Sequence, residues 1–234
     1  MTKRLLIIPA RSGSRRIKNK NFRNFCGKPI IFHSLNTVKK SKLFDKIHVS
    51  TDSKKFKQIL NRYGYDLDFL RPKSLSKDKV PLVDVMKFVY KKYYNLGFRF
   101  DEIWNMSACS PLTIEKDLKK ATLLLKKHNS KVVISVTDFA APLEWAFKLN
   151  KNNLLKSIYN TSYLTKNSQL LEKKYHDSSA FFGLTSKNLN KKNFNIYKNF
   201  VGYFISRKRS IDIDEQVDWD IAEAIYKNLK KKKD

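Results

Sequence analysis

The sequence predicts an α/β protein, a mostly parallel sheet flanked by helices, and two observations carry that prediction. Strand-like apolar runs alternate with runs of helical spacing, the pattern of parallel strands joined by crossover helices. The first apolar run, residues 5–8, leads straight into Pro9-Ala10-Arg11-Ser12-Gly13-Ser14-Arg15-Arg16-Ile17-Lys18-Asn19-Lys20-Asn21, a loop with one glycine, two serines and five cations. Open α/β sheets place phosphate sites in the loop after a buried strand. Small residues there let backbone amides approach phosphate oxygens, and Arg and Lys neutralise the charge. The loop carries neither GxxxxGK[ST] nor GxGxxG, so it is neither a P-loop nor a dinucleotide fingerprint.

The elements follow in order. Residues 5–8 form the first strand and 46–51 the next; between them Ile31, Ser34, Leu35 and Val38 keep helical spacing. Phe56, Ile59, Leu60 and Tyr63 mark a second helix, closed by Gly64 before a short strand at 67–70. Leu82, Val85, Met86, Val89 and Tyr93 mark a third, followed by a strand at 102–106. A fourth helix near 118–125 precedes the strongly apolar strand 131–136. From Phe139 the rhythm changes: 144–149, 180–184 and 201–205 read as strands with irregular polar segments between them. No Pro/Gly linker separates this part, so residues 139–185 or thereabouts read as an insertion within one domain spanning 1–234. A helix around Val217, Ile221, Ala224 and Ile225 closes the fold.

At 234 residues and 41% hydrophobic, the chain is long and apolar enough for a real core. Lys and Arg number 49 against 21 Asp and Glu, a net charge of +28. The cations are scattered, as in Lys91-Lys92, Lys126-Lys127, Lys173-Lys174 and Lys191-Lys192, and read as solvated faces; only 230–233 forms a block, a basic tail. Non-specific polyanion binding at low salt follows from such a charge, whereas a specific nucleic-acid site does not. No apolar run is long enough to span a membrane, and residues 5–8 are too short for a signal-peptide core, so a cytoplasmic protein is expected. Cys26 and Cys109 lack CxxC or metal spacing and read as reduced structural thiols.

Two acidic features stand out. Asp52, at the carboxyl end of a strand, reads as a helix N-cap. Asp212-Ile213-Asp214 puts two carboxylates two residues apart, hence on one side of extended chain, where both can meet one hard cation. Asp218 and Asp220 follow on the last helix and read as solvent-facing.

Taken together, Ala10 to Ile17, Lys20-Asn21 and Gly27-Lys28-Pro29-Ile30 resemble the signature of the cytidylyltransferases that activate nonulosonic acids. Val49-Ser50-Thr51-Asp52, Leu70-Arg71-Pro72, Ser110-Pro111-Leu112 and Asp212-Ile213-Asp214 look like that family's later motifs in the same order, so the resemblance covers about residues 4–226. It implies a Rossmann-like nucleotidyltransferase fold with a small inserted dimerisation region. The implied reaction is Mg²⁺-dependent cytidylyl transfer from CTP to the anomeric hydroxyl of a nine-carbon acidic sugar, with pyrophosphate leaving. Carried over residue by residue, Arg11, Lys20 and Asn21 would grip the triphosphate, and Ser14 and Arg15 would add contacts. Arg71 would read cytosine, Asp212 and Asp214 would hold Mg²⁺, and Lys20 with this pair would be catalytic.

On the sugar side, Ser107 stands where the sialic acid enzymes have a glutamine. Ser168-Gln169 and Tyr175-His176-Asp177-Ser178, with Phe181-Phe182-Gly183, look like the pseudaminic acid branch, although Asn167 replaces its arginine. Ser107, Gln169 and His176 are therefore the sugar-side candidates. Lys79-Val80-Pro81-Leu82 departs from the small or hydroxyl residues usual near the base. Legionaminic, N-acetylneuraminic and 3-deoxy-manno-octulosonic acids remain alternative substrates, and a basic nucleic-acid-binding protein is the alternative of another class. Relatives of this kind are commonly homodimers whose insertion reaches the neighbouring site, and the resemblance implies the same here.

Overall fold

The protein is described by a computed structural model over residues 2–14, 16–128, 131–192, 195 and 198–231. In chain order its elements are β1 (Arg4–Pro9), β2 (Asn24–Phe25), β3 (Lys28–Pro29), α1 (Ile31–Ser41), β4 (Lys46–Ser50), α2 (Lys54–Arg62), α3 (Leu82–Asn95) and β5 (Glu102–Met106). Then come α4 (Glu115–Lys127), β6 (Val132–Asp138), β7 (Phe147–Leu149), β8 (Leu155–Ser157), β9 (Tyr175–Thr185), α5 (Ser186–Asn190), β10 (Phe200–Phe204) and α6 (Gln216–Lys231).

Six strands form the main sheet in the order β4-β1-β5-β9-β6-β10. β1 pairs in parallel with both β4 and β5, and β10 with β6; β9 alone runs antiparallel, to β5 on one side and β6 on the other. The mostly parallel sheet flanked by helices is as the sequence predicts. Leu5, Leu6, Ile7 and Ile8 are all fully buried, which is why β1 reads as an unbroken apolar run rather than an alternating one. Because successive side chains point to opposite faces, Leu6 and Ile8 join Leu35, Val38, Leu60, Leu118 and Leu125 beneath α1, α2 and α4. Leu5 and Ile7 join Met86, Val89, Tyr93 and Leu189 beneath α3 and α5.

A third apolar cluster matters most for the site. Ile17 of the basic loop, Phe25 and Ile30 of the β2–β3 hairpin, Cys109, Ile213 and Trp219 and Ala222 of α6 pack together. Burying Ile17 and Ile213 in one cluster brings the basic loop against the segment that carries the two aspartates.

Two expected strands take other forms. Residues 67–70 make no strand: Asp68 accepts from Tyr93 Oη and pairs with Lys46 at 2.9 Å, so side chains hold this segment beside the sheet edge. Of 144–149, only Phe147–Leu149 is a strand, paired with β8; Glu144 lies in a 3-10 turn, drawn in by Lys174 at 3.3 Å. Within 139–185, the β7–β8 hairpin is a sheet of its own, while Tyr175–Thr185 runs through the middle of the main sheet.

Candidate active site

β4 and β5 flank β1, so the connections leaving β1 and β4 diverge and open a cleft beyond the carboxyl end of β1. The basic loop covers that cleft and is tied at several points. Ala10 N–H donates to the Ser50 carbonyl at 2.9 Å, and Asn21 Nδ2 donates to the Arg11 carbonyl at 3.2 Å. Asn19 takes a left-handed turn (φ 55°), a conformation Asn tolerates better than most residues, and leads into the 3-10 segment Lys20–Phe22. Lys20 Nζ thereby reaches the Ile213 carbonyl at 2.6 Å and Asp214 Oδ1 at 3.0 Å.

The result is a cavity of about 600 Å³ lined by Arg11, Ser14, Arg16, Lys20, Asn21, Arg71, Asp78 and Asp214 among others. Six of the residues singled out in the sequence thus share one cavity, although they come from three distant stretches of chain. Arg16, which the sequence reading did not single out, is also there: it pairs with Asp214 Oδ2 at 2.7 Å. Its signal was present, since it is one of the five loop cations. Asp78, beside the departure at 79–82, pairs with Arg11, and Val80 and Leu82 supply apolar wall. Arg15 lies outside the described residues.

The electrostatics follow from these pairings. Burial alone would raise the Asp214 carboxyl, but the Lys20 hydrogen bond and the charges of Lys20 and Arg16 hold it below the ordinary aspartate value. Arg71 is 5% exposed, and its Nε and Nη2 have no hydrogen-bond partner among the described residues. Burial draws its pKa down; the Asp52 charge opposes that shift and Arg11 adds to it. An unsatisfied buried guanidinium is costly unless an acceptor arrives, so Arg71 is built to meet one. Burial pushes the Cys109 thiol up to about 12, with Lys20 opposing and Asp212 and Asp214 adding. Both cysteines are free thiols.

Asp212 is exposed and does not line the cavity, while Ile213 between the aspartates is buried. Among the described residues no group of three or more His, Cys, Asp or Glu side chains could hold a metal. A cation here would rest on two carboxylates and substrate oxygens, which is how Mg²⁺ is commonly held, and the ionised Asp214 suits it.

The sugar-side candidates are more dispersed. Ser107 Oγ accepts from Cys109 N at 3.2 Å and shapes the turn after β5. His176 is exposed at the start of β9, its Nδ1 2.8 Å from the Asp177 carbonyl and its ring against Phe139. Asp177 is raised, first by desolvation and then by the Asp212 charge, the Ser179 N–H opposing. Gln169 lines a separate surface cleft with Trp145 and Asn167. None of the three lines the main cavity.

Asp52 is not a helix cap. Ser53 caps α2, its side chain accepting from Phe56 N at 3.2 Å, while Asp52 accepts from Ser12 N and Ser12 Oγ, each at 3.0 Å. The adjacent serine competes for the same position, and the spacing of acidic and hydroxyl residues alone could not say which wins.

Comparison with known proteins agrees with this arrangement. The cytidylyltransferase family profile matches residues 5–234. The chain is 33% identical over 226 residues to the pseudaminic acid cytidylyltransferase of Campylobacter jejuni, covering 96% of this chain and 97% of that one. It is 26% identical over 223 residues to the CMP-N,N'-diacetyllegionaminic acid synthase of Legionella pneumophila, covering 94% and 95%. A solved CMP:2-keto-3-deoxy-manno-octonic acid synthetase, complexed with CTP, matches with a TM-score of 0.72 over 97% of this chain and all of that one; at 16% identity this is a likeness of fold. The match runs from the first strand to the C-terminal helix and includes both the basic loop and the paired aspartates, so this chain belongs to the cytidylyltransferase family.

Proposed function

We propose that this enzyme transfers a cytidylyl group from CTP to the anomeric hydroxyl of a nonulosonic acid, with pseudaminic acid the substrate. What supports the transfer most is the single cavity in which Arg11, Arg16, Lys20 and Asn21 face an ionised Asp214 and an unpaired buried Arg71. Phosphoryl transfer needs little covalent help from protein; it needs positioning and charge stabilisation. Arg11, Lys20 and Asn21 hold the triphosphate, with Ser14 contributing hydroxyl and backbone donors. Arg71 presents its free N–H groups to the acceptor edge of cytosine. The anomeric hydroxyl oxygen bonds to the α-phosphorus as its proton passes to solvent, the bond to the bridging oxygen breaks, and that electron pair leaves with pyrophosphate. Asp212 and Asp214 would hold a Mg²⁺ ion, which when bound polarises the α-phosphate and offsets charge on the leaving group.

Support for the sugar comes from the 33% identity to a pseudaminic acid enzyme over nearly the full length of both chains. The test is pyrophosphate release with CTP and a panel of nonulosonic acids. A kcat/KM for pseudaminic acid roughly a hundredfold above that for N-acetylneuraminic acid is expected, because a mismatched stereoisomer leaves buried polar groups unpaired. A preference for N-acetylneuraminic acid in direct competition overturns the sugar and leaves the transfer intact.

The enzyme acts as a homodimer through residues 139–185. The β7–β8 hairpin exposes Leu149, Leu154 and Leu155, each more than 60% accessible, and such a patch favours a covering partner. A sedimentation mass of one chain at micromolar concentration would refute it. No helix among the described residues is long and apolar enough to cross a membrane; the enzyme works in the cytoplasm, where CTP is supplied.

A further inference from the structure

Four consecutive residues at the end of β4 and just beyond it, Ser50 to Ser53, tie down both ends of the cavity. The Ser50 carbonyl accepts from Ala10 N at 2.9 Å, at the root of the basic loop. The Thr51 carbonyl accepts from Arg71 N at 2.8 Å, fixing the backbone of the buried arginine. Asp52 gives both its oxygens to Ser12, one to the amide and one to the hydroxyl. Ser53 closes the turn by capping α2, its own N–H donating to Thr51 Oγ1 at 3.2 Å. The helix therefore makes no demand on Asp52, whose carboxylate is committed to the loop. The backbone of Arg71 is held at the adjacent Thr51 carbonyl, and its Nε and Nη2 have no hydrogen-bond partner among the described residues.

We propose that Asp52 is a positioning residue that holds the phosphate-binding loop and Arg71 in one geometry, so that the triphosphate and the base of CTP are met by a single preorganised unit. The inference rests on the CTP reading above and adds to it a residue that does not line the cavity. Its physical basis is entropy. A glycine-containing loop with its tip unrestrained must be ordered when the nucleotide binds, and restraints made beforehand remove that cost. An aspartate supplies two acceptors and a charge. An asparagine of the same shape supplies one acceptor and no charge.

The two ends can be read separately with fragments of the substrate, using inorganic pyrophosphate for the loop and cytidine for Arg71. Inhibition of the unaltered enzyme by each fragment establishes the CTP reading independently of any variant. Asp52→Ala should then raise KM for CTP about tenfold and weaken inhibition by both fragments, with kcat changed much less, since lost preorganisation is charged to binding. Ser12→Ala keeps the amide bond and does not touch Arg71, so it should weaken pyrophosphate inhibition alone. Asp52→Asn should fall between Asp52→Ala and the unaltered enzyme, and it guards against a folding defect because Ser53 still caps α2. A melting temperature within a few degrees of the unaltered protein is expected for all three. The proposal is overturned if Asp52→Ala leaves both fragments binding normally, if it affects only one of them, or if Asp52→Asn behaves as the unaltered enzyme.

Discussion

Asp214 carries a cation on each oxygen, Lys20 on Oδ1 and Arg16 on Oδ2, and Arg11 is paired with Asp78. The loop's cations are therefore already oriented by carboxylates, and under the proposed function a triphosphate would take over contacts that exist rather than recruit loose side chains. Removing the Asp214 charge would disorder that array and, under the proposed function, remove a hard metal ligand as well. Asp214→Asn should abolish nearly all turnover and Asp212→Asn most of it, while circular dichroism and melting stay close to normal. Near-normal pyrophosphate release by Asp214→Asn at saturating Mg²⁺ would sink the metal assignment. Arg11→Ala and Lys20→Ala should each cost about 2–4 kcal/mol in kcat/KM, because both face charge in a partly desolvated site. Exposed Lys127, on α4, is the control: Lys127→Ala should do almost nothing, and an equal loss from all three would point to a general charge effect.

Among the elements, β9 does the least expected thing: it enters antiparallel between two parallel pairs. It can do so because Gly183 sits opposite Trp104 of β5 with no side chain, leaving the indole room to lie against the strand. A methyl group at 183 would overlap the ring of Trp104, which is fully buried and held by its Nε1 donating to Glu102 Oε2 at 2.9 Å, itself paired with Arg4 at 2.8 Å. Gly183→Ala should therefore cost about 2 kcal/mol or more, read as a lowered urea midpoint with an unchanged slope. An unaltered midpoint would mean that Trp104 has another place to go. The run 180–184 reads as a strand from composition, but its direction and its place in the sheet do not, because pairing partners are set by the other strands.

For the molecule as a whole, two buried histidines set the acid limit. His33 Nε2 donates to the Phe25 carbonyl at 2.8 Å and its Nδ1 accepts from Tyr226 Oη at 3.0 Å, locking α6 to the β2–β3 hairpin in the neutral form. Burial pulls it down to about 4, the Phe25 carbonyl opposing and Lys28 and Lys230 adding. Burial likewise pulls His48 to about 4, Asp68 opposing. In the unfolded chain each titrates near 6.5, so between 6.5 and 4 the unfolded state binds the extra proton. Their contribution is whole above pH 6.5 and is lost as pH falls towards 4; by pH 5 the loss is about 2 kcal/mol for each. The depressed carboxylates, Asp214 among them, titrate lower and leave that window to the histidines. Melting temperature should fall steadily from pH 6.5 to 5, and a flat profile would contradict the burial. The +28 charge makes a separate forecast. Binding of arbitrary duplex DNA should collapse between low and physiological salt while CTP turnover declines far less, because the first rests on counterion release alone. Tight sequence-selective binding at physiological salt would instead favour the nucleic-acid alternative.

The fold class, the basic loop and the paired aspartates were legible in the residues because each depends on neighbours in sequence: an apolar run, a spacing of two, a cluster of cations. The resemblance added the order of motifs and, with it, the cavity's membership from Arg11 to Asp214. What tertiary structure decided were the choices between partners distant in the chain. Residues 67–70 could have paired as a strand and instead are held by Asp68 to Lys46 and Tyr93. Asp52 could have capped a helix and instead holds Ser12, because Ser53 takes the cap and the loop folds back within reach. Arg16 is one cation among several until burial of Ile17 and Ile213 in a common cluster turns it towards Asp214. A local pattern states what a residue can bond to; only packing of the apolar residues between such groups determines which of those bonds forms.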